Sequence, residues 1–341
     1  MSTQGGGMEI IMNNLKKLCE RITENPDNQM KAWQWGQGVA LFGLTEVYLK
    51  SGDKFCIDYI KNWFDEHLAT AYPGRSINTT APCLSALELY KIYKDEKYLN
   101  LCTDFAQWCM AQAPRGEKGA YEHSCTENVY PNQLWADTLF MGALFLGKYS
   151  VLTENKMYMY EALRQYRLHY EFLKSPNNSL IVHGYYGNER IQKGVIWGRG
   201  NGWFAAGSPI ILSIADNSFE DYEIVKTNYI NYITDLLKYQ NPDGSWNTVI
   251  DDENSYPEMT ATAAFAYSIN EGIKLGFLDS SYQIYADKAF EALEKEIDQD
   301  GTLLKASGGT CIMPLKEDYN AIPLCYSPFA QGLAILALNS K

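Results

Sequence analysis

The residue in this sequence best suited to moving a proton is Asp137. It lies in Trp135-Ala136-Asp137-Thr138-Leu139-Phe140, and the positions from Leu139 to Leu146 are almost entirely apolar. An aspartate in the first turn of a helix ordinarily caps it or complements its dipole. Trp135 points to a further role. A carboxyl shielded by an indole has its charged form disfavoured, which raises its pKa toward a value useful for proton donation near neutrality. Three other helix starts have the same character, polar residues interrupting an apolar run just after a long loop. They are Ala32-Trp33-Gln34-Trp35-Gly36-Gln37-Gly38, Ile196-Trp197-Gly198-Arg199-Gly200-Asn201-Gly202-Trp203 and Tyr256-Pro257-Glu258-Met259-Thr260-Ala261-Thr262.

Arg199 stands between glycines and is flanked by Trp197 and Trp203. Its planar fork matches a carboxylate, so it suits an anionic group on a ligand, or else an acid on a neighbouring loop. Of the histidines, His123 and His183 fall in long loops and could reach a cleft, whereas His67 and His169 fall on amphipathic helices. The sequence contains no HxxxH, HExxH or GxSxG pattern and no phosphate-binding glycine loop, so no metal, cofactor or serine nucleophile is expected. Asn241-Pro242-Asp243-Gly244-Ser245 reads as a turn, and Asp251, Asp252 and Glu253 as solvated loop acids.

The elements that must position these residues are helices. Apolar positions recur at helical spacing near 9–24, 31–50, 54–69, 81–93, 96–111, 132–149, 156–173, 201–214, 219–239, 258–275, 281–297 and 327–339. Short polar connections such as Lys50-Ser51-Gly52-Asp53-Lys54 alternate with long ones rich in Gly, Pro, Trp and Asp, which carry nearly every unusual residue. That alternation is a repeat of helical hairpins, with apolar inner helices and amphipathic outer ones. Six hairpins close into an all-α (α/α)6 barrel, with the N-terminal helix paired to the C-terminal one and the long loops gathered at one end. An open solenoid is the alternative. The expected organisation is a flexible terminus over 1–8 and one catalytic barrel domain over 9–341.

Bulk properties narrow the partners. A net charge of −12 over 341 residues argues against nucleic acid and anionic membrane, whose phosphates need clustered Lys and Arg. The 25 Tyr and 8 Trp suit either a large aromatic core or the flat-faced, polar-rimmed walls of a sugar cleft. Eight cysteines without a CxxC pair read as free thiols in a reducing compartment. With no signal-peptide pattern at the start and no apolar run of membrane length, a cytoplasmic location is expected.

Several segments together resemble the family 105 glycoside hydrolases, the unsaturated rhamnogalacturonyl hydrolases, and more distantly the unsaturated glucuronyl hydrolases. They are Tyr130-Pro131-x-Gln133-x-Trp135-x-Asp137 with Leu139-Phe140-Met141, His183-Gly184-Tyr185, Trp197-Gly198-Arg199-Gly200-Asn201-Gly202-Trp203, Pro242-Asp243-Gly244-x-Trp246 and Glu258-Met259-Thr260-Ala261-Thr262-Ala263. The resemblance implies an (α/α)6 barrel and an oligosaccharide substrate ending in a Δ4,5-unsaturated uronic acid, as in pectin degradation. Asp137 would protonate C4 and water would add at C5. Trp35, Trp135, Trp197 and Trp203 would wall the sugar, and His183 and Arg199 would bind its polar groups. Where the family usually has a second aspartate this chain has Asn78, which could hydrogen-bond the sugar or Asp137. Cys125-Thr126-Glu127-Asn128 stands where a basic pair often precedes the Tyr-Pro segment. Alternatives are a sugar epimerase with His123 facing His183, an ordinary glycosidase with a second carboxylate across from Asp137, and a non-catalytic sugar-binding protein. A monomer or weak homo-oligomer is expected.

Overall fold

The computed structural model describes residues 3–25, 27–69 and 74–341, without the side chains of 3–8. In chain order the elements are α1 (Thr3–Thr23), α2 (Trp35–Ser51), α3 (Lys54–Ala69), α4 (Cys83–Tyr93), α5 (Glu96–Ala111), β1 (Gln133–Trp135), α6 (Leu144–Thr153), α7 (Lys156–Leu173), β2 (Gly184–Tyr186), β3 (Ile191–Lys193), α8 (Gly198–Ile214), α9 (Tyr222–Leu236), α10 (Met259–Lys274), α11 (Gln283–Lys295), α12 (Lys316–Asn320) and α13 (Pro328–Ser340).

The hairpins come from a repeated turn. Gly52, Lys94 and Glu154 each leave a helix in the left-handed conformation, with φ of 73°, 54° and 57°. The next residue, Asp53, Asp95 or Asn155, then accepts a backbone N–H of the following helix at 3.0 to 3.1 Å. An αL exit followed by an Asx N-cap reverses the chain in two residues.

Helices α2, α4, α6, α8, α10 and α13 each pack on the next, and α13 returns to α2, so the inner ring is closed. Each of α3, α5, α7, α9 and α11 packs outside the inner helix before it, and α1 packs on α13. This is the expected (α/α)6 barrel with its terminal helices paired, rather than an open solenoid. The seam between α2 and α13 depends on absent side chains. A Cβ on Gly43 would come within 2.6 Å of the Gly332 carbonyl oxygen, and one on Gly332 would strike the Val39 carbonyl. At the short-turn end, Lys148 of α6 lies 3.6 Å from Glu46 of α2 and 3.4 Å from Glu88 of α4, tying three inner helices together.

The long connections interlock at the other end. Tyr326 donates to the Asn28 carbonyl and Gln34 to Glu127, while Trp197 bridges to Val249. Here the structure departs from the sequence reading. Residues 133–135, expected to begin a helix, form β1 of a three-stranded antiparallel sheet in the order β1-β2-β3. The all-α expectation therefore needs a small sheet added to it. α8 begins at Gly198 rather than 201, and α1 at Thr3 rather than 9; the rest of the expected flexible end, residues 1–2, lies outside the described residues. All eight cysteines are free, five of them buried, while Cys311 and Cys325 are exposed. Among the described residues no helix is long and apolar enough to cross a membrane.

Substituting Gly332→Val should lower the chemical-denaturation midpoint by the equivalent of about 1–3 kcal/mol through overpacking at the seam. Gly309→Ala, where a Cβ meets nothing within 4 Å, should leave it unchanged. Equal midpoints for the two variants would refute the role given to the seam.

Candidate active site

Asp137 is held by two backbone registers. Trp135 pairs with Gly184 across β1 and β2, and the Ala136 N–H donates to the His183 carbonyl at 3.3 Å. After Asp137 and Thr138 the chain makes a wide π-helical turn over Leu139–Ala143 before α6. Such turns are concentrated at functional sites because they re-aim side chains within a helix. The result sets Asp137 Oδ2 4.0 Å from His183 Nε2, too far for a direct hydrogen bond, with 13% of the aspartate side chain exposed and none of the histidine. Both atoms are buried and without a hydrogen-bond partner.

Burial raises the Asp137 pKa to about 6; the Arg199 charge, the residue's own N–H and the Trp203 indole work in the opposite direction. The Trp203 N–H faces the carboxyl without completing a hydrogen bond, and it, Trp197 Nε1 and Arg199 Nε are likewise buried and unpaired. His183 is held well below its ordinary pKa by burial, then by Arg199 and His123, so its imidazole is neutral at pH 7. Unsatisfied buried polar atoms are uncommon in native proteins. Here one acceptor and four ring or guanidinium nitrogens of that kind occur in a single cluster.

Arg199 lies in the first turn of α8, not in a loop, and is fully buried. Its two terminal nitrogens donate to the Ser307 carbonyl (2.6 Å), the Ser307 hydroxyl (2.7 Å) and the Gly308 carbonyl (2.6 Å). The fork expected to receive a ligand carboxylate is therefore occupied by the last long loop, leaving Nε and the positive charge. Glu258 anchors that loop: one oxygen accepts from the Ser307 N–H at 2.9 Å and the other caps α10 through the Ala261 N–H at 2.7 Å. The guanidinium is sandwiched between Trp197 and Phe329, 4.5 and 4.8 Å from their ring centres. Gly200 is needed because a Cβ there would lie 2.9 Å from the Trp197 ring.

The remaining tryptophans complete the enclosure. Half-buried Trp35 stacks on Phe329 and meets Trp203 edge-on. Trp135 lies edge-on to His183 and flat on His123, whose Nδ1 pairs with the Thr138 hydroxyl at 3.1 Å. Asn78, on a single 3₁₀ turn over Asn78–Thr80, donates to Cys125 Sγ at 3.0 Å. Burial, and then Asp137 and Glu127, push the Cys125 thiol up to about 12. Asp252 pairs with Lys316 and accepts from Asn254, as a loop acid would.

All eight residues expected from the sequence thus fall in or against one cluster. Sequence reasoning missed Ser307, Gly308, Tyr319 and Phe329. The length of the last loop, with its Ser307-Gly308-Gly309 run, was the available signal. A cavity of about 690 Å³ lies elsewhere, between α1, α3 and the short-turn ends of α2 and α13. Its largely apolar lining includes, among the described residues, no comparable set of unpaired buried polar atoms.

This barrel, with one shielded carboxyl among buried indoles, is the architecture of a carbohydrate-active enzyme. The sequence model of glycosyl hydrolase family 88 matches residues 11–340, and the chain belongs to that family; it is a glycoside hydrolase. It is 30% identical over 327 residues to the unsaturated rhamnogalacturonyl hydrolase YesR of Bacillus subtilis, covering 94% of this chain and 93% of that one. A crystal structure described as a possible family 105 glycoside hydrolase from Klebsiella pneumoniae superposes with a TM-score of 0.92 at 28% identity, covering 97% of this chain and 92% of that one. The unsaturated glucuronyl hydrolase of Bacillus sp. GL1, which degrades glycosaminoglycan, shares the fold at 16% identity and a TM-score of 0.72, over 97% and 96% of the two chains.

The raised pKa has a consequence for stability. A carboxyl whose folded pKa lies above its unfolded value contributes fully below the unfolded value and loses that contribution as pH rises through the folded one. From 3.8 to about 6 the loss amounts to about 3 kcal/mol at alkaline pH. Asp137→Asn should therefore unfold at higher denaturant than the wild type at pH 8, with the difference vanishing near pH 4. A variant less stable at both pH values would mean that burial of the charge is not costly here.

Proposed function

We propose that this glycosidase removes a Δ4,5-unsaturated uronic acid from the non-reducing end of lyase-generated oligosaccharides, with Asp137 as acid and then base. The observation that carries the reading is a buried carboxyl poised near neutrality, whose Oδ2 is the one buried carboxylate oxygen without a partner among the described residues. Glu258 is the other buried acid beside the cluster, and both its oxygens are engaged. Ordinary glycosidases need a second free carboxyl. Hydration of a vinyl ether needs only one.

In this scheme protonated Asp137 gives its proton to C4, and positive charge develops at C5. Water adds to C5 while the new Asp137 carboxylate takes its proton, restoring the acid. The hemiketal opens, and the second sugar leaves with the glycosidic oxygen. Arg199, fixed by Ser307 and Gly308, supplies the positive field that attracts the uronate and stabilises the Asp137 carboxylate. Trp197 and Trp203 offer unpaired indole N–H groups to the sugar, and Trp35 and Trp135 supply apolar ring surface. His183 and Asn78 contribute polar contacts. The name of the Bacillus subtilis relative supports a pectin-derived substrate and rhamnose as the released sugar. A cytoplasmic monomer or weak homo-oligomer completes the proposal. The epimerase alternative loses its second histidine, because His123 lies flat against Trp135 and pairs with Thr138.

The double bond conjugated to the carboxylate absorbs in the ultraviolet, so the reaction is followed by loss of that absorbance. The wild type should abolish it with unsaturated pectin disaccharides and Asp137→Asn should not; an inert wild type across pectin and glycosaminoglycan disaccharides would end the proposal. Because the acid form is the reactive one, kcat/KM should decline as pH rises through about 6. Removing the nearby charge in Arg199→Gln should move that decline to higher pH and raise KM, and an unmoved profile would remove Arg199 from its electrostatic role.

A further inference from the structure

Tyr319, on short helix α12 within the last long loop, is fully buried, with its ring edge-on to His183 and packed against Trp197. Its hydroxyl lies 2.6 Å from His183 Nδ1. The same oxygen accepts the Met313 N–H at 3.2 Å. The fold makes room for this contact, because Gly194 has φ of +85° and a Cβ there would come within 2.6 Å of the hydroxyl. The His183 backbone N–H donates to the Val195 carbonyl at 2.9 Å, so the backbone carrying the imidazole is fixed to the Gly194 turn.

A phenol has one hydrogen to donate and an oxygen that accepts. With Met313 supplying a donor, the one acceptor-capable partner of the Tyr319 hydrogen among the described residues is His183 Nδ1. We infer that Tyr319 is a positioning residue for the proposed reaction: by donating to Nδ1 it fixes His183 as the Nε2–H tautomer, so that a hydrogen-bond donor, not a lone pair, faces Asp137 Oδ2 and the sugar. Burial supports this by keeping the imidazole neutral, so that it carries a single ring proton. Nε2, 4.0 Å from Oδ2, then stabilises the carboxylate formed after proton transfer and donates to a sugar or water oxygen within about 2.8 Å of both. The opposite tautomer would set a lone pair against that carboxylate.

The inference rests on the proposed hydrolysis for its catalytic consequence, but the tautomer can be read without any substrate. Only four histidines are present, so ¹⁵N,¹³C-histidine-labelled protein gives few signals, with His183 assigned by its loss in His183→Gln. The wild type should show His183 as a neutral imidazole protonated at Nε2. Tyr319→Phe should show mixed tautomers, with kcat lowered about tenfold, the worth of one oriented hydrogen bond, and KM little changed. A wild-type His183 protonated at Nδ1 overturns the inference whatever the activity, and needs no variant to fold. An unchanged tautomer in a folded Tyr319→Phe overturns it too. A wild type with the Nε2–H tautomer that is inert on every unsaturated disaccharide defeats the hydrolase reading instead.

Discussion

The structure around Asp137 is organised by one constraint, a carboxyl kept largely out of water without a hydrogen bond to its Oδ2. Burial raises the pKa of Asp137. A fully buried guanidinium is the largest influence acting the other way, and the pKa settles at about 6. The charge of Arg199 is itself acceptable in the interior because two carbonyls and a hydroxyl take its terminal N–H groups and two aromatic faces cover it. Removing any part of that arrangement exposes an uncompensated charge to a low-dielectric interior.

That dependence explains why closure of the barrel matters to the chemistry. Arg199 and Asp137 are delivered by the middle of the chain, whereas Ser307, Gly308, Tyr319 and Phe329 come from its last part. They meet because α13 returns to α2 across the glycine seam at Gly43 and Gly332. Glu258 belongs to the same logic. It is an acid used to hold the Ser307 backbone in place and to cap α10, whereas Asp137 Oδ2 has no partner.

Much of this was legible in the sequence, for identifiable reasons. The hairpin repeat shows because each inner helix is apolar on all sides and each outer one is not. Trp135, Asp137, Trp197, Arg199 and Trp203 show because polar and aromatic residues at apolar helix starts are locally anomalous. The strand at Gln133-Leu134-Trp135 did not show, since its partners lie some fifty residues away and its three residues carry no alternation to read. The occupation of Arg199 by Ser307 and Gly308 is a long-range contact that no local pattern encodes. Asn78 and Cys125 were each visible as departures from the family pattern. Their direct contact was not, and it shows that the two departures form one polar pair beside Asp137.

In the proposed reaction Asp137 protonates the double bond and not the glycosidic oxygen. An unsaturated disaccharide joined through sulfur tests it most directly, because a thioglycosidic bond resists acid-assisted cleavage at the anomeric carbon while the double bond remains open to hydration. Hydration predicts that the wild type consumes the ultraviolet absorbance of this substrate and releases the free thiol, and that Asp137→Asn does neither. Cleavage of the oxygen-linked disaccharide with the sulfur-linked one left intact would contradict it.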